Sequence, residues 1–266
     1  MKKPTLAEVL AARRASSRRP GFVPFLVAGD PSAAATVKAA KAVAAAGADI
    51  LEVGVPFSDP VADGPVIQAA GQRALAKGMS LTRAAKLVKS LKRAGVETPA
   101  ILFTYLNPIL RLGLPAFARL CADSGVAAAL IVDLPVEDAA PYAKALAARG
   151  VEIVLLASPT TSDARLRAIG RSSGSLVYYV SREGVTGVRA GLAPGLAERL
   201  EHVRRLTGKP LIVGFGVAEP AQARALAPHA DGVVVGSALV AAAAKGGPAA
   251  AGRLARRLVN ALEVSC

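Results

Sequence analysis

The chain alternates between short apolar runs and longer Ala-rich stretches whose apolar positions recur at helical spacing. Gly, Pro or polar residues bound each run. Short apolar runs bounded by turn residues are typical of buried strands, and apolar residues three and four apart are typical of amphipathic helices. The pattern predicts eight strands, at residues 22–27, 49–55, 100–105, 127–132, 152–157, 176–180, 211–214 and 232–235.

A predicted helix follows each of these strands. The helices fall at residues 33–46, 81–94, 114–123, 137–148, 163–172, 196–207, 220–227 and 248–261, and a further helix at residues 6–16 precedes the first strand. Eight strand–helix units in about 250 residues are typical of a (β/α)8 barrel, the TIM barrel. We therefore predict an α/β fold, a TIM barrel with an extra N-terminal helix. No linker-like change of composition divides the chain, so residues 1–266 are predicted to form one domain.

An open doubly wound sheet is the alternative fold. It usually carries a GxGxxG sequence after its first strand to hold a pyrophosphate. Here the first strand is followed by Gly29, Asp30 and Pro31, which cannot hold a pyrophosphate in that way. The barrel is therefore favoured. Polar residues at strand ends become the candidates for function, because barrel enzymes place their chemistry where strands end and the following loops begin.

The charge of the chain bears on its partners more than on its fold. The chain has 33 Lys and Arg against 19 Asp and Glu, a net charge of +14, and only 4% aromatic residues. Nucleic acid, an anionic membrane and an anionic substrate all fit such a chain. However, the basic residues are scattered along predicted helices, without an RNP-type sequence, an aromatic stacking run or a zinc ligand set. A solvated basic surface is favoured over a polyanion site, and we expect no nucleic-acid partner.

Cysteine use and hydropathy indicate the compartment. Cys121 and Cys266 form no CxxC motif and are interpreted as thiols in a reducing compartment. No apolar run approaches the ~20 residues needed to span a bilayer, and the N-terminus lacks an apolar signal core. We expect a cytoplasmic protein with no membrane partner. His202 and His229 are the only histidines and both lie in or near helical stretches, so no metal site is predicted.

Glu52 interrupts the otherwise apolar second strand. Strand alternation places it on one face with Gly54 and opposite Leu51 and Val53. If that face is the barrel interior, burial would raise the pKa of the carboxyl and fit it for proton transfer near neutral pH. The alternative is a glutamate satisfied by a buried hydrogen bond or ion pair.

Asp63 comes eleven residues later, in a loop that Pro56 and Pro60 stiffen. It is the candidate second carboxylate of the site. The alternative interpretation of both Asp59 and Asp63 is a helix N-cap, a position that aspartate often occupies.

Gly187, Gly216, Gly236 and Ser237 follow predicted strands six, seven and eight. Glycine lets backbone N–H groups approach an anion closely, and Gly236 with Ser237 opens an Ala-rich segment that can start a short helix. Loops after strands seven and eight are the usual phosphate site of these barrels. The four residues therefore predict a phosphate site, and tight turns are the alternative.

Aromatic and apolar residues at strand ends can line a slot for a flat ring. The candidates are Phe25, Tyr105, Leu130 and Phe215. Phe103 is also apolar and near a strand end, but core packing is the favoured interpretation for it.

Ten consecutive residues, from Pro56 to Pro65, closely resemble the signature of tryptophan synthase alpha subunits. The resemblance covers essentially the whole chain, and its further motifs all lie at predicted strand ends. They are at residues 22–25 with 29–31, 105–108 with 113, 133–135, 159–161, 181–187, 214–216 and 236–237. Eight motifs in the same order make the resemblance highly specific.

The resemblance implies a lyase of tryptophan biosynthesis that splits indole-3-glycerol phosphate into indole and glyceraldehyde 3-phosphate. It implies that Glu52 is the general acid/base, which protonates indole C3 and takes a proton from the glycerol hydroxyl. Asp63 would accept a hydrogen bond from the indole N–H, and Thr186, on the loop after strand six, would help to position Asp63. Tyr178 is implied as a support for Glu52, and the phosphate role goes to the same four residues as above.

The resemblance also implies a partner, a beta subunit that carries pyridoxal phosphate. The two chains would form an α2β2 heterotetramer in which indole passes internally, so the cofactor is expected on the partner and none in this chain. Asp59, Asn107 and Pro108 correspond to positions near the contact. The glycine-bearing sixth loop, residues 181–195, is implied to close over the site.

Three alternatives stay open. The first is another phosphate-binding barrel enzyme, such as a phosphosugar isomerase, an indole-glycerol-phosphate-forming synthase or a Schiff-base aldolase. The aldolase needs an inward Lys near a strand end, whereas Lys209 precedes the seventh strand, on the wrong side. The second is a catalytically idle subunit, against which the presence of Glu52 and Asp63 argues. The third is a free-standing lyase without an obligatory beta subunit.

Overall fold

Eight parallel strands close into a barrel in the order in which they occur along the chain. The structure is a computed structural model that describes residues 3–180, 194–214 and 216–263. The strands are β1 (Gly21–Val27), β2 (Leu51–Gly54), β3 (Ala100–Thr104), β4 (Ala128–Ile131), β5 (Glu152–Ala157), β6 (Val177–Val180), β7 (Leu211–Gly214) and β8 (Gly232–Val235). Pairing of β1 with β8 closes the sheet, which confirms the predicted TIM barrel.

Helices surround the barrel. In chain order they are α1 (Leu6–Ser17), α2 (Ala33–Ala45), α3 (Pro65–Ala76), α4 (Leu81–Arg93), α5 (Leu106–Leu112), α6 (Leu114–Ser124), α7 (Ala139–Ala147), α8 (Asp163–Ser172), α9 (Leu196–Thr207), α10 (Pro220–Leu226) and α11 (Ser237–Leu262). The extra N-terminal helix is thus confirmed. No helix within the described ranges combines the length and the apolar character that a bilayer crossing requires.

Two helices, α3 and α5, were not predicted from the pattern. The loop that holds Pro56 and Pro60 precedes α3, whereas only Tyr105 separates β3 from α5, which is 7 residues long with Pro108 in its first turn. In α3, Pro65 occupies the first turn, where its missing N–H costs nothing. The predicted helix at 137–148 starts later, because a 3-10 turn at Val136–Asp138 precedes α7.

The last helix, α11, is two helices joined at a break. Gly246 and Gly247 have non-helical backbone angles there, and Gly247 has a φ of +70°. Pro248 then opens the second segment, a position that suits proline. The first segment is the short helix expected after Gly236, and the second corresponds to the helix predicted at 248–261.

Strand alternation divides the apolar side chains into two layers. Leu51, Val53 and Leu102 belong to the layer between the barrel and the helices. Phe25 and Ile101 belong to the layer inside the barrel, with other alternate strand residues. The inner layer is where the cavity described below opens.

A buried carboxylate, Asp49, stabilises the amino-terminal end of the barrel just before β2. One of its oxygens accepts the Phe22 N–H and an N–H of Arg19, both at 2.8 Å. Arg19 is as buried as Asp49, and Arg13 from α1 bonds the other oxygen. The ion pair thus ties α1 and β1 to the start of β2.

Glu152 and Asp231 play similar parts elsewhere on this end. Glu152 accepts the N–H of Leu6 at 2.9 Å, which attaches α1, and the N–H of Ser175 at 2.6 Å. Asp231 accepts the N–H of Leu211 at 2.8 Å, at the start of β7. Acidic side chains therefore satisfy backbone donors where strands begin.

Candidate active site

A cavity of about 360 Å³ opens at the carboxyl-terminal end of the strands. Strand ends, the loop after β2, the first turn of α3 and the start of α11 enclose it. Its lining in the described part of the chain is Phe25, Glu52, Ala62, Asp63, Gly64, Pro65, Val66, Ile67, Phe103, Tyr178, Gly216, Val217, Ala218, Val234, Gly236, Ser237 and Ala238. The cavity brings together the two carboxylates and the two glycines after β7 and β8.

Glu52 points into the barrel from β2, as strand alternation predicted. It is 1% exposed, and its Oε1 atom finds no hydrogen-bond partner among the described residues. Burial, together with the nearby charge of Asp63, raises the pKa of Glu52 to about 8. The side chain is therefore largely protonated at neutral pH and can donate a proton into the cavity.

Asp63 lies in the loop after β2 and lines the same cavity as Glu52. The N-cap of α3 is Gly64, and no side chain caps that helix, so the N-cap interpretation of Asp59 and Asp63 is wrong for α3. Burial raises the pKa of Asp63 to about 6, and a hydrogen bond from Tyr105 opposes that rise. Asp63 is therefore mostly ionised at neutral pH and can accept a hydrogen bond.

Tyr105 does not line the cavity, in contrast to the prediction. Its hydroxyl lies by the loop that carries Asp63, where it accepts the Ala62 N–H at 3.2 Å and donates to Asp63. Its ring stacks on Phe57, with ring centres 5.0 Å apart. Tyr105 thus fixes the loop of the second carboxylate. Leu130 also lies outside the cavity lining, fully buried in the inner layer.

Phe103 lines the cavity, whereas the sequence favoured core packing for it. Its ring meets Phe25 edge to face, with centres 5.5 Å apart and planes at 82°. Gly54 makes room for this pair, because a Cβ atom there would lie 2.3 Å from the Phe25 ring. Phe103 lies beside Gly54 in the pairing of β2 with β3. Because side chains alternate along a strand, Phe103 points into the barrel like Ile101, and this alternation could have identified Phe103 as a cavity residue.

Tyr178 faces Glu52 from β6. Burial and the charge of Glu52 raise the pKa of its hydroxyl well above the ordinary value. Gly214 leaves space for it, because a Cβ atom there would lie 2.0 Å from the Tyr178 hydroxyl. Tyr178 and Glu52 are thus neighbours in the cavity lining, whereas a hydrogen bond between them stays a prediction.

The other end of the cavity has the features of an anion site. Gly216 has a φ of +84°, and Gly236 immediately precedes the first turn of α11. The first N–H groups of a helix have no partner within the helix, and Ser237 adds a hydroxyl donor. Within the described ranges no three His, Cys, Asp or Glu side chains come together in a way that could hold a metal ion.

Residues 11–265 match the family model described as tryptophan synthase alpha chain. The alpha chain of Phenylobacterium zucineum is 49% identical over 229 residues, which cover 86% of this chain and 83% of the relative. The chain belongs to the tryptophan synthase alpha chain family. The resemblance that the strand-end motifs indicated is thereby confirmed.

Solved structures agree with this membership. Mycobacterium tuberculosis tryptophan synthase superposes with a TM-score of 0.89 at 33% identity, over 99% of this chain and 100% of that one. A chain of the tryptophan synthase a2b2 complex from Pyrococcus furiosus superposes with a TM-score of 0.84 at 37% identity, over 92% and 99%. The barrel described above is therefore that of an alpha chain, a subunit of an enzyme.

Three of the predicted site residues fall on parts of the chain that the structure does not describe. Thr186, Gly187 and Phe215 lie outside the described residues. Their roles in loop closure, phosphate binding and the ring slot stay predictions.

The positions expected near the partner subunit of an alpha chain lie at the mouth of the barrel. Asp59 and Asn107 are exposed, and Pro108 is half-buried at the start of α5. Apolar side chains are exposed beside them: Val61 is 86% and Leu110 61% exposed. The same surface therefore combines the predicted contact residues with unusually exposed apolar groups.

Proposed function

We propose that the chain catalyses the alpha reaction, the retro-aldol cleavage of indole-3-glycerol phosphate to indole and D-glyceraldehyde 3-phosphate, and is thus a carbon–carbon lyase. One observation carries the proposal: Glu52 and Asp63 share a cavity but have different pKa values, about 8 and about 6. Pairs of carboxylates with separated pKa values are typical of acid/base sites.

The chemistry follows from these protonation states. Neutral Glu52 donates its proton to indole C3, and the ring becomes a cationic electron sink. Ionised Asp63 accepts the indole N–H and stabilises the developing positive charge. The Glu52 carboxylate then takes the proton of the glycerol hydroxyl as the carbon–carbon bond breaks and its electron pair returns to the ring. Glu52 is protonated again at the end, so no other reactant is needed.

The rest of the cavity supports this substrate. The edge-to-face pair of Phe25 and Phe103 offers an apolar wall for a flat indole ring. Gly216, Gly236 and Ser237 suit the phosphate, and we assign Gly187 to the same group. Tyr178 is proposed to support Glu52, and Thr186 to position Asp63.

We further propose that the chain pairs with a beta subunit in an α2β2 complex, in the cytoplasm. An a2b2 complex is described for the Pyrococcus furiosus enzyme. The exposed Val61 and Leu110, beside Asp59 and Asn107, fit a surface that a partner covers. Pyridoxal phosphate is expected on that partner and not in this chain. Membership in the family of a two-subunit enzyme favours this arrangement over a free-standing lyase.

An indole-release assay on the purified chain tests the proposal. Indole should appear from indole-3-glycerol phosphate and should appear faster when a beta subunit is added. Release of no indole, with or without the partner, contradicts the lyase assignment. Separate elution of the two chains from a sizing column, at concentrations where activity is measured, contradicts the proposed complex.

A further inference from the structure

The helix α3 connects the second carboxylate of the site to the barrel wall. Only Gly64 separates Asp63 from the first residue of the helix, Pro65, and residues 65–67 line the same cavity as Asp63. A movement of α3 along the barrel therefore moves Asp63 as well.

α3 packs against the barrel with small side chains and the partly buried Ile67. The helix buries only Ala70, Gly71 and Ala74, whereas the neighbouring α4 buries three leucines and a valine besides two alanines. Small side chains bury less apolar area and make fewer dispersion contacts than leucine does.

Two cations, Arg73 on α3 and Lys77 directly after its last residue, attach the helix to the loop after β1. The Nε and Nη2 atoms of Arg73 donate to the two carboxylate oxygens of Asp30, both at 2.8 Å. Lys77, the C-cap residue of α3, donates to the carbonyl of Pro31. The Asp30 side chain is 6% exposed and that of Arg73 is 44% exposed, so the acid is the buried member of the pair. We call Arg73, Lys77, Asp30 and Pro31 the α3 clamp.

The loop that carries Asp30 is itself fixed to the strands of the site. The Ala28 N–H donates to the carbonyl of Gly54 at 2.8 Å, and the Asp30 N–H donates to the carbonyl of Val27 at 3.3 Å. The Gly29 N–H donates to the hydroxyl of Thr36 at 3.0 Å. The α3 clamp thus attaches the helix to β1 and β2, and β2 is the strand that holds Glu52.

We propose that Arg73 is a positioning residue for the alpha reaction, which sets the location of Asp63 relative to Glu52 through the α3 clamp. This inference rests on the proposed function. About 12 Å of helix separate Arg73 from Pro65, so a tilt of about 5° shifts the start of α3 by about 1 Å. A misplacement of about 1 Å in an active site can cost on the order of a hundredfold in rate.

The substitution Arg73→Lys tests the proposal, because lysine keeps the charge but cannot make two parallel hydrogen bonds. We expect kcat for indole release to fall about tenfold, with KM within about twofold of the original value. A carboxyl NMR titration should give a lower pKa for Asp63, because a looser α3 admits water to that carboxylate. Arg93→Lys, an exposed arginine at the end of α4, is the matched control and should change neither quantity.

The variant Asp30→Asn removes the same contact from the other side. It should give the same changes, and combining it with Arg73→Lys should add little, because both remove one interaction. If Arg73→Lys fails to fold, Asp30→Asn and Lys77→Met are measured in its place. A lower melting temperature with unchanged kcat and unchanged Asp63 titration would show that the clamp is only structural, and would overturn the proposal. A chain that releases no indole contradicts the proposed function instead, while the Asp63 titration still tests the clamp.

Discussion

The two ends of the barrel use acidic side chains in opposite ways. At the amino-terminal end, Asp49 is buried but fully partnered by a backbone N–H and two arginines. At the carboxyl-terminal end, Glu52 is also buried, yet one of its oxygens has no partner within the described ranges. A buried charge is costly unless it is paired, so the first end supports stability and the second holds a poised acid. Partners, and not burial alone, decide which role a carboxylate takes.

The largest expected effect comes from removing the poised acid. Glu52→Gln should reduce indole release by about a thousandfold or more, because the amide cannot transfer the proton and a general acid contributes on the order of a hundredfold to ten-thousandfold. Binding of the substrate, measured by calorimetry, should remain. Near-normal turnover would remove Glu52 from the mechanism.

The same variant should change stability in the direction opposite to that expected of a partnered carboxylate. Folding raises the pKa of this carboxyl from 4.5 to about 8. The group therefore destabilises the folded state most when the pH exceeds both values, because the buried carboxyl must then carry a charge. Glu52→Gln should therefore raise the melting temperature at pH 9 more than at pH 5. Glu152→Gln, at the partnered end, is the control and should lower the melting temperature at both pH values.

The second largest effect is expected at the partnered end. Asp49→Ala leaves Arg19 buried without its counter-ion, and breaking a buried pair in this way costs about 3–5 kcal/mol. Urea unfolding should report that loss, while the kcat of the folded fraction stays within about twofold. A free energy of unfolding that hardly changes would contradict the structural role assigned to Asp49.

A smaller effect, which is measured on the unsubstituted protein, is the pH dependence of kcat/KM. Activity requires ionised Asp63 and neutral Glu52, so it should fall below about pH 6, as Asp63 gains a proton, and above about pH 8, as Glu52 loses one. Each limb should approach a tenfold change per pH unit. The charge of Asp63 is one cause of the raised pKa of Glu52, after burial. A flat profile between pH 5 and pH 9, measured with the fold monitored by circular dichroism, would contradict this assignment.

The smallest effect is expected for Ser237→Ala. Loss of one hydroxyl donor to a charged group should weaken the binding of a phosphate ester about tenfold, since such hydrogen bonds contribute about 1.5–3 kcal/mol. Turnover at saturating substrate should stay within about twofold. Unchanged affinity in a glycerol-phosphate titration would count against a phosphate at the start of α11.

Local pattern predicted the barrel and the direction of Glu52 because both depend on periodicity. Inward alternation in β2 needs only the neighbouring residues, and it holds in the structure. The position of Tyr105 could not be obtained in this way, because its hydroxyl is fixed by a loop 43 residues earlier in the chain. The α3 clamp depends on the equally distant contact between Arg73 and Asp30. What the sequence pattern missed is therefore mostly long-range side-chain contact.

The break in α11 divides the helix into two segments, one that begins at the cavity and one that packs in the outer layer. The segment before Gly246 begins at the cavity with Ser237 and Ala238, and the segment after Gly247 packs against α2, where Arg256 donates to the carbonyl of Ala45. Because Gly247 has a φ of +70°, the chain changes direction there, and the two segments can have different orientations. Residues 246–247 are thus a point at which an insertion can alter the outer layer of the barrel without redirecting the N–H groups assigned to the phosphate.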